Sequence, residues 1–317
     1  MTTRKEIRKQ RKLNKKKVFF TILGVLLIGL IAYGIYLYNQ LNETVETMYT
    51  PLESDSEKQE EVEKRLNKND TINVLLLGVD ERPNQKGRSD TMILLSLNPD
   101  TEKMLMFNIP RDTYVNIPGR GGDKINHAYA FGGSELAVQT VEDFLDTTVH
   151  FYGRINMEGL VDAVDAVGGV TVNNNLAFSH GGHDFPTGEI TLNGEEALIY
   201  SRMRKQDPDG DLGRNDRQQQ IIDALIDKGM SFESFTRVGD ILDTLGSNVQ
   251  TNVKMDTMKD LFFDYRGTIS EKEKAKISGE GFWGDGEIGD EDIWYYGVSD
   301  QEQQRIQTLL EEHMNEK

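Results

Sequence analysis

A run of 21 uncharged residues, Val18 to Tyr38 (VFFTILGVLLIGLIAYGIYLY), constrains this chain more than any other feature. At about 1.5 Å per residue, a helix of that length crosses the hydrocarbon core of a bilayer. A cleaved signal peptide is the rival reading. Against it, the run is longer than the apolar stretch of a signal peptide, and the YNQLNETVET that follows offers no small-x-small cleavage site. The expectation is an uncleaved transmembrane anchor. Residues 1 to 17 hold nine Lys or Arg and one acid, and the positive-inside rule places that tail in the cytoplasm and everything after Asn39 outside.

The tail also unmasks the charge of the rest. Once it is set aside, 27 basic residues face 52 acidic ones, a net of −25. A body so acidic lacks the basic footprint that a nucleic-acid backbone requires. With no cysteines, disulfides and zinc-thiolate sites are excluded as well. Any local gathering of arginines then needs a reason. Arg202, Arg204, Arg214 and Arg217 fall within sixteen residues, in YSRMRKQDPDGDLGRNDRQQQ. Read as a helix from about Leu212, Arg214, Arg217 and Gln218 share a stripe with Ile221, Ile222 and Leu225. Guanidiniums on an inward stripe are costly unless an anion meets them, and the planar fork suits phosphate or pyrophosphate.

Residues 39–70 are polar and charged, with a helical pattern but no buried stripe, and read as a stalk. Composition changes at Ile72. INVLLLGVD, TMILLSLN and KMLMFNIP have the look of buried strands. GGSELAVQTVEDFLD, with Ser134 as a cap, reads as an amphipathic helix. TVHFYGRIN reads as a strand, NMEGLVDAVDAVGG as a helix closed by Gly168 and Gly169, and VTVNN as a strand. The alternation predicts a layered α/β sandwich. FSHGGHDFPTGE reads as a Gly-rich loop, LNGEEALIYSRMRK as a short helix, and residues 212–229 as a long one. After Ser231 the signals weaken to two helical patterns, a charged stretch EKEKAKISGEG, an aromatic stretch with both tryptophans, and a terminal helix. The aromatics read as a cover on the main sheet, with a binding surface as the alternative.

Asp80 and Asp90 bracket one loop at strand ends. Paired carboxylates in an arginine-rich setting can hold a magnesium that also touches substrate phosphates, although two loop aspartates can equally be turn formers. Arg82 and Arg88 share that loop, and Arg111 ends the next strand in IPRD. Arg202 and Arg204 would point the same way in an extended segment and diverge in a helical one. Ion pairing with Asp211 and Asp216 is the plain alternative for Arg214 and Arg217. His180, His183 and Asp184 form an H-x-x-HD string in a Gly-rich loop with no helix to fix a zinc geometry, and no G-x-S-x-G elbow is present.

LLLGVDER, GRSDTMILLS, NIPRDTYVNIPG, KINHAYAFGG, VDAVGGV, LNGEEALIYSRMRK and DLGRNDRQQQ occur in that order between Ile72 and Ile226. Through this series the chain resembles the LytR-CpsA-Psr family of membrane-anchored cell-wall transferases. The resemblance implies an α/β/α sandwich on a central mixed β-sheet, with an apolar cavity for a lipid tail and one N-terminal transmembrane helix. It divides the chain into a cytoplasmic tail 1–17, an anchor 18–38, a stalk 39–70, a catalytic core 71–230 and a C-terminal extension 231–317 packed on the core. It implies an extracytoplasmic enzyme of the cell membrane that moves an anionic glycopolymer, such as wall teichoic acid, from an undecaprenyl-pyrophosphate carrier to peptidoglycan. The alternative is a membrane regulator that binds polyprenyl phosphates without transferring anything. By position, Asp80 and Asp90 would hold Mg2+, and Arg88, Arg111, Arg202, Arg204, Arg214, Arg217 and Gln218 would bind the pyrophosphate. Arg82 and Arg111 would act in catalysis, with Asp211 the candidate general base. Val161, Val164 and Leu145 are pattern-based candidates for the cavity lining.

Overall fold

A computed structural model of the protein describes residues 38–39, 41–81, 87–231, 237–285 and 292–317. The expected cytoplasmic tail and, apart from Tyr38, the expected membrane span lie outside the described residues. Among the described residues no helix is long and apolar enough to cross a membrane. The chain divides into two compact units, Met1–Glu43 and Thr44–Lys317. In the first, residues 38–39 and 41–43 are helical.

The second unit includes most of the stretch read as a stalk. Val45 and Met48 are buried in it, and the Thr50 N–H donates to the Thr251 carbonyl at 2.7 Å. Helix α1 (Asp55–Lys68) turns Val62 and Leu66 onto Ile72, Phe151 and Tyr265, and Lys58 pairs with Glu142 at 2.6 Å. Two apolar residues a turn apart are thus enough to dock an otherwise charged helix.

Three strands follow, β1 (Ile72–Val79), β2 (Ser89–Asn98) and β3 (Lys103–Asn108). Next come β4 (Tyr114–Ile117), β5 (Gly121–Lys124), α2 (His127–Leu145), β6 (Phe151–Asn156), α3 (Met157–Ala166) and β7 (Val170–Asn174). After β8 (Phe178–His180), β9 (His183–Phe185) and β10 (Gly188–Leu192) the chain enters α4 (Gly194–Arg202) and α5 (Asp211–Gly229). The C-terminal region supplies α6 (Val238–Leu245), β11 (Val249–Thr251), α7 (Met255–Asp264), β12 (Glu271–Lys276), β13 (Glu280–Gly284), β14 (Ile293–Gly297) and α8 (Asp300–Asn315).

The main sheet runs β11-β6-β1-β2-β3-β12. β1 is antiparallel to β2 and parallel to β6, and β12 is parallel to β3. It is therefore mixed, as expected, and both of its edge strands come from the C-terminal region. Successive side chains point to opposite faces, and each face is covered. Leu75, Leu77, Met92, Leu94 and Phe107 pack against α2 and against Ile306 and Leu310 of α8. Ile93, Leu95, Met104 and Met106 meet Ile222 and Ile226 of α5. A second core joins β7 and β10 to α4 and the middle of α5 through Val170, Val172, Leu192, Tyr200 and Ile221.

Local signals explain the helix ends. The Asn156 side chain accepts from the Gly159 N–H to start α3, and Asn193 with Glu196 forms a capping box on α4. α2 begins earlier than the amphipathic pattern but breaks at Gly133, just before Ser134. Two segments differ from expectation. The Gly-rich stretch is a hairpin, β8 with β9, and the charged EKEKAK is the edge strand β12. Its Lys272 reaches both Asp223 and Asp227 of α5 at 2.5 Å, and Lys274 reaches Asp223 at 2.7 Å. A charged edge strand paired in this way resists adding further strands.

Candidate active site

The site starts at the neck of the loop between β1 and β2. The pairing shifts register between Gly78 and Val79, so Asp90 is the extra residue of a β-bulge, the device that re-aims a strand end. The Arg88 carbonyl accepts from the N–H groups of both Asp80 and Asp90, each at 3.1 Å. Gly87 passes so close that a Cβ there would meet the Asp80 carbonyl oxygen at 2.5 Å. The two aspartates are therefore anchored to one point of backbone.

Arg111 lies just beyond β3, where the Ile109 N–H still donates to the Met92 carbonyl at 2.9 Å. Its Nη1 donates to Asp90 Oδ1 at 2.8 Å, and its Nε stands 3.5 Å from Asp112 Oδ2. Lys124 holds the other Asp112 oxygen at 2.7 Å. Arg111, Asp112 and Lys124 line an open polar cleft with Arg204, Asp209 and Asn215, about 1180 Å³ counted with the solvent it opens to.

A second, apolar cleft lies under the sheet end, lined by residues including Leu76, Thr91, Ile93, Leu160, Ile221 and Ile222. It encloses about 540 Å³, part of it open to solvent. Ser201 and Gln218 line this cleft, whereas Arg204 and Asn215, three residues away on the same segments, line the polar one. The α4–α5 junction thus belongs to both clefts. Val79 and Thr91, neighbours of Asp80 and Asp90, line the apolar side. The candidate lining residues from the sequence are elsewhere: Leu145 is in the core on the opposite face of the sheet and Val164 is in the second core, and Val161 is not among the lining residues. Their helical pattern marked burial, not which space they bury.

The arginines divide. Arg214 and Arg217 are 8% and 5% exposed, on an inward stripe with Ile221. Arg217 donates to Asp207 Oδ2 and to the Met203 carbonyl, each at 2.5 Å, and lies 5.5 Å over the Phe178 ring. Its partner is Asp207 on the preceding loop, and Asp216 pairs instead with Lys276 at 2.9 Å. Gln218 Oε1 is buried without a hydrogen-bond partner among the described residues. α4 ends at Arg202 and Met203 is extended, so Arg204 enters the polar cleft while the exposed Arg202 lines neither cleft. Arg88 is exposed. Arg82 lies outside the described residues, as does the side chain of Asp211, whose backbone begins α5.

Sequence reasoning passed over Lys124, Asn215 and, above all, Arg154. Only 4% exposed on β6, Arg154 pairs with Glu81 and donates through Nε to the Tyr129 hydroxyl at 3.1 Å. That hydroxyl donates to Glu81 at 2.6 Å. Burial pushes the Tyr129 phenol up to about 12 and pulls the Arg154 guanidinium down. The network fixes the residue after Asp80 from behind. Its signal was a lone cation inside the apolar strand FYGRIN.

A polar cleft with cations and carboxylates and an apolar cleft, both lined by the segment from α4 to α5, suit an amphiphile with an anionic head. Among the described residues no group of three or more metal-binding side chains occurs. Asp80 and Asp90, both tied through their N–H groups to the Arg88 carbonyl, are two carboxylates of the kind that magnesium takes beside water and phosphate.

The chain is 52% identical, over the whole of both chains, to the polyisoprenyl-teichoic acid–peptidoglycan teichoic acid transferase TagU of Oceanobacillus iheyensis. Its fold is similar to the crystal structure of Bacillus subtilis TagU, with TM-score 0.63 and 43% identity over 78% of this chain and 98% of that one. It is also similar to TagT solved with LI-WTA bound, with TM-score 0.65 and 32% identity over 78% and 92% of the two chains. Together with a family sequence model that matches residues 35–312, these likenesses establish that the chain belongs to the LytR_cpsA_psr family.

Proposed function

We propose that this chain transfers an anionic glycopolymer, wall teichoic acid, from an undecaprenyl-pyrophosphate carrier to the 6-hydroxyl of N-acetylmuramic acid in peptidoglycan. The observation that carries the reading is the segment from α4 to α5, which lines an apolar cleft suited to a lipid tail through Ser201 and Gln218 and, three residues away, a polar cleft with Arg111 through Arg204 and Asn215. The relatives' names supply the glycopolymer and the acceptor. The lipid would follow Leu160, Ile221 and Ile222, with its phosphates at the arginines.

In the transfer, the acceptor oxygen attacks the phosphorus attached to the glycopolymer. The bond from that phosphorus to the bridging oxygen breaks, and undecaprenyl phosphate leaves with the electron pair. The hydroxyl proton goes to a base, for which Asp211 is the candidate at the start of α5. Arg111 and Arg204 neutralise the charge that grows on the phosphate oxygens, preorganised because Arg111 is already held between Asp90 and Asp112. Asp80 and Asp90 would hold Mg2+, which supplies further charge neutralisation when bound. Residues 18–38 would anchor the chain in the cell membrane with the catalytic unit outside, where a lipid-linked donor is confined.

The test uses the full chain in detergent with a lipid-pyrophosphate-linked donor, peptidoglycan fragments and Mg2+. A phosphodiester-linked product is expected, with kcat/KM reduced roughly 10²–10³-fold in Arg111→Ala. Asp80→Asn with Asp90→Asn should abolish both the metal dependence and Mn2+ binding followed by electron paramagnetic resonance. Tight binding of the lipid without transfer, unchanged by Arg111→Ala, would replace the transferase with a sensor of polyprenyl phosphates.

A further inference from the structure

Both tryptophans of the chain lie outside the residues assigned above, on the β13–β14 hairpin. The hairpin has two aromatic faces. On one face Phe282 and Tyr295 stack at 5.4 Å and meet Tyr114 edge-on at 5.6 and 5.1 Å, with Tyr295 buried and Phe282 and Tyr114 partly exposed. On the other face Trp283 stands directly opposite Trp294, and Gly281 opposite Tyr296. Trp283 is 68% and Trp294 36% exposed.

This outer face is built, not merely bare. A Cβ at Gly281 would meet Trp294 Nε1 at 2.7 Å, so the indole lies against the glycine backbone. The Tyr296 N–H donates to the Asp112 carbonyl at 2.8 Å, which ties the hairpin to the segment that carries Arg111. Gly281, Trp283, Trp294 and Tyr296 form the wall of the polar cleft facing Arg111 and Arg204. Gly281 also lines a second open cleft and Tyr296 a third.

We infer that Trp283 and Trp294 form the platform on which the acceptor glycan strand of peptidoglycan lies, an assignment that deepens the proposed transferase function and depends on it. Sugar rings present an axial C–H face that matches the electron-rich face of an indole. An open groove running past the arginines suits a strand that crosses the site, whereas the donor is placed by its lipid in the apolar cleft. Charge admits the same occupant. Asp112 and Asp209 offset two of the three cations in the cleft, Arg111, Lys124 and Arg204, and the positive charge left over suits a peptide-free strand, which carries one lactyl carboxylate on each N-acetylmuramic acid.

Because the chain has no other tryptophan, its tryptophan emission, excited selectively over the tyrosines, reports on this hairpin alone. The full chain in detergent, titrated without donor with peptide-free strands of alternating N-acetylglucosamine and N-acetylmuramic acid, should give a saturable change in emission. In transfer assays Trp283→Ala and Trp294→Ala should each raise the acceptor KM roughly tenfold, the effect of about 1.4 kcal/mol of lost stacking, with the donor KM within about twofold of wild type. Trp283→Phe should restore most of the loss and so separate stacking from misfolding. If transfer is never detected but calorimetry finds glycan binding that both alanine variants lose, the platform stands and the reaction falls. Transfer with wild-type acceptor KM in both alanine variants, or an emission change given only by the donor, overturns the platform.

Discussion

Arg217 offers the sharpest separation of a structural arginine from a substrate-binding one. Its guanidinium and the Asp207 carboxylate are 6% and 7% exposed, and the same guanidinium holds the Met203 carbonyl and covers Phe178. Arg217→Met would keep the stem but strand Asp207 in a buried position. Breaking one side of such a pair costs about 3–5 kcal/mol, to which loss of the ring contact adds about 0.5–1 kcal/mol. That is a large part of the total stability of an ordinary domain, about 5–15 kcal/mol. Adding Asp207→Asn removes the stranded charge, so the double variant should be more stable than Arg217→Met alone by about 1–3 kcal/mol. Urea unfolding followed by circular dichroism measures each corner of the cycle, and transfer kinetics give the donor KM. A variant Arg217→Met within about 0.5 kcal/mol of wild type, but with a donor KM raised more than tenfold, would show that the guanidinium serves substrate and that the clamp reading is wrong.

Two further outcomes follow from charges away from the site. His150, 2% exposed, accepts the Asn73 N–H on Nδ1 at 2.9 Å; burial, then the nearby Arg65, hold its pKa down to about 4. The unfolded chain therefore binds the extra proton first. The stability this gives is fully present above about pH 6.5 and is lost as pH falls towards 4, about 3 kcal/mol in all. Urea midpoints at pH 7 and pH 4 should move less in His150→Gln, and an equal shift in both proteins would refute the assignment. Lys272→Ala would leave Asp227 without its cation and Asp223 with Lys274 alone, at a cost of about 0.5–1 kcal/mol that shrinks with added salt. A thermal midpoint unchanged at low salt would mean that the ladder from β12 to α5 contributes nothing.

What could be read in the chain depended on whether a residue's partners are local. β1, β2 and β3 were legible because strands covered on both faces are apolar throughout, and α5 because its stripe keeps helical spacing. β12 was hidden because an edge strand docked by ion pairs carries alternating charge, Lys272 and Lys274 outnumbering the single buried Ala275. The docking of α1 was hidden behind its charges in the same way. The helical spacing of Arg217 marks it as inward-facing, but its anion, Asp207, comes from the preceding loop and not from a helical neighbour such as Asp211.

Within the site the same rule separates two kinds of residue. In the β2–β3 pairing Ile93 stands opposite Asn108 and Asn98 opposite Lys103. That register, continued three residues outward, places Asp90 opposite Arg111, the pair observed at 2.8 Å. It is set by the turn after Asn98, whose side-chain oxygen accepts from the N–H groups of Asp100 and Thr101. The bulge beyond Gly78 performs the equivalent step for Asp80, bringing it level with Arg88. Half of the site is therefore a consequence of hairpin register. The other half, Arg204 and Asn215, lines the same cleft as Arg111 because the second core seats α4 and α5 beside the sheet. A substitution in that core, such as Tyr200→Ala, should consequently displace Arg204 while leaving the Asp90–Arg111 pair intact, and so weaken donor binding more than it weakens the metal response carried by Asp80 and Asp90.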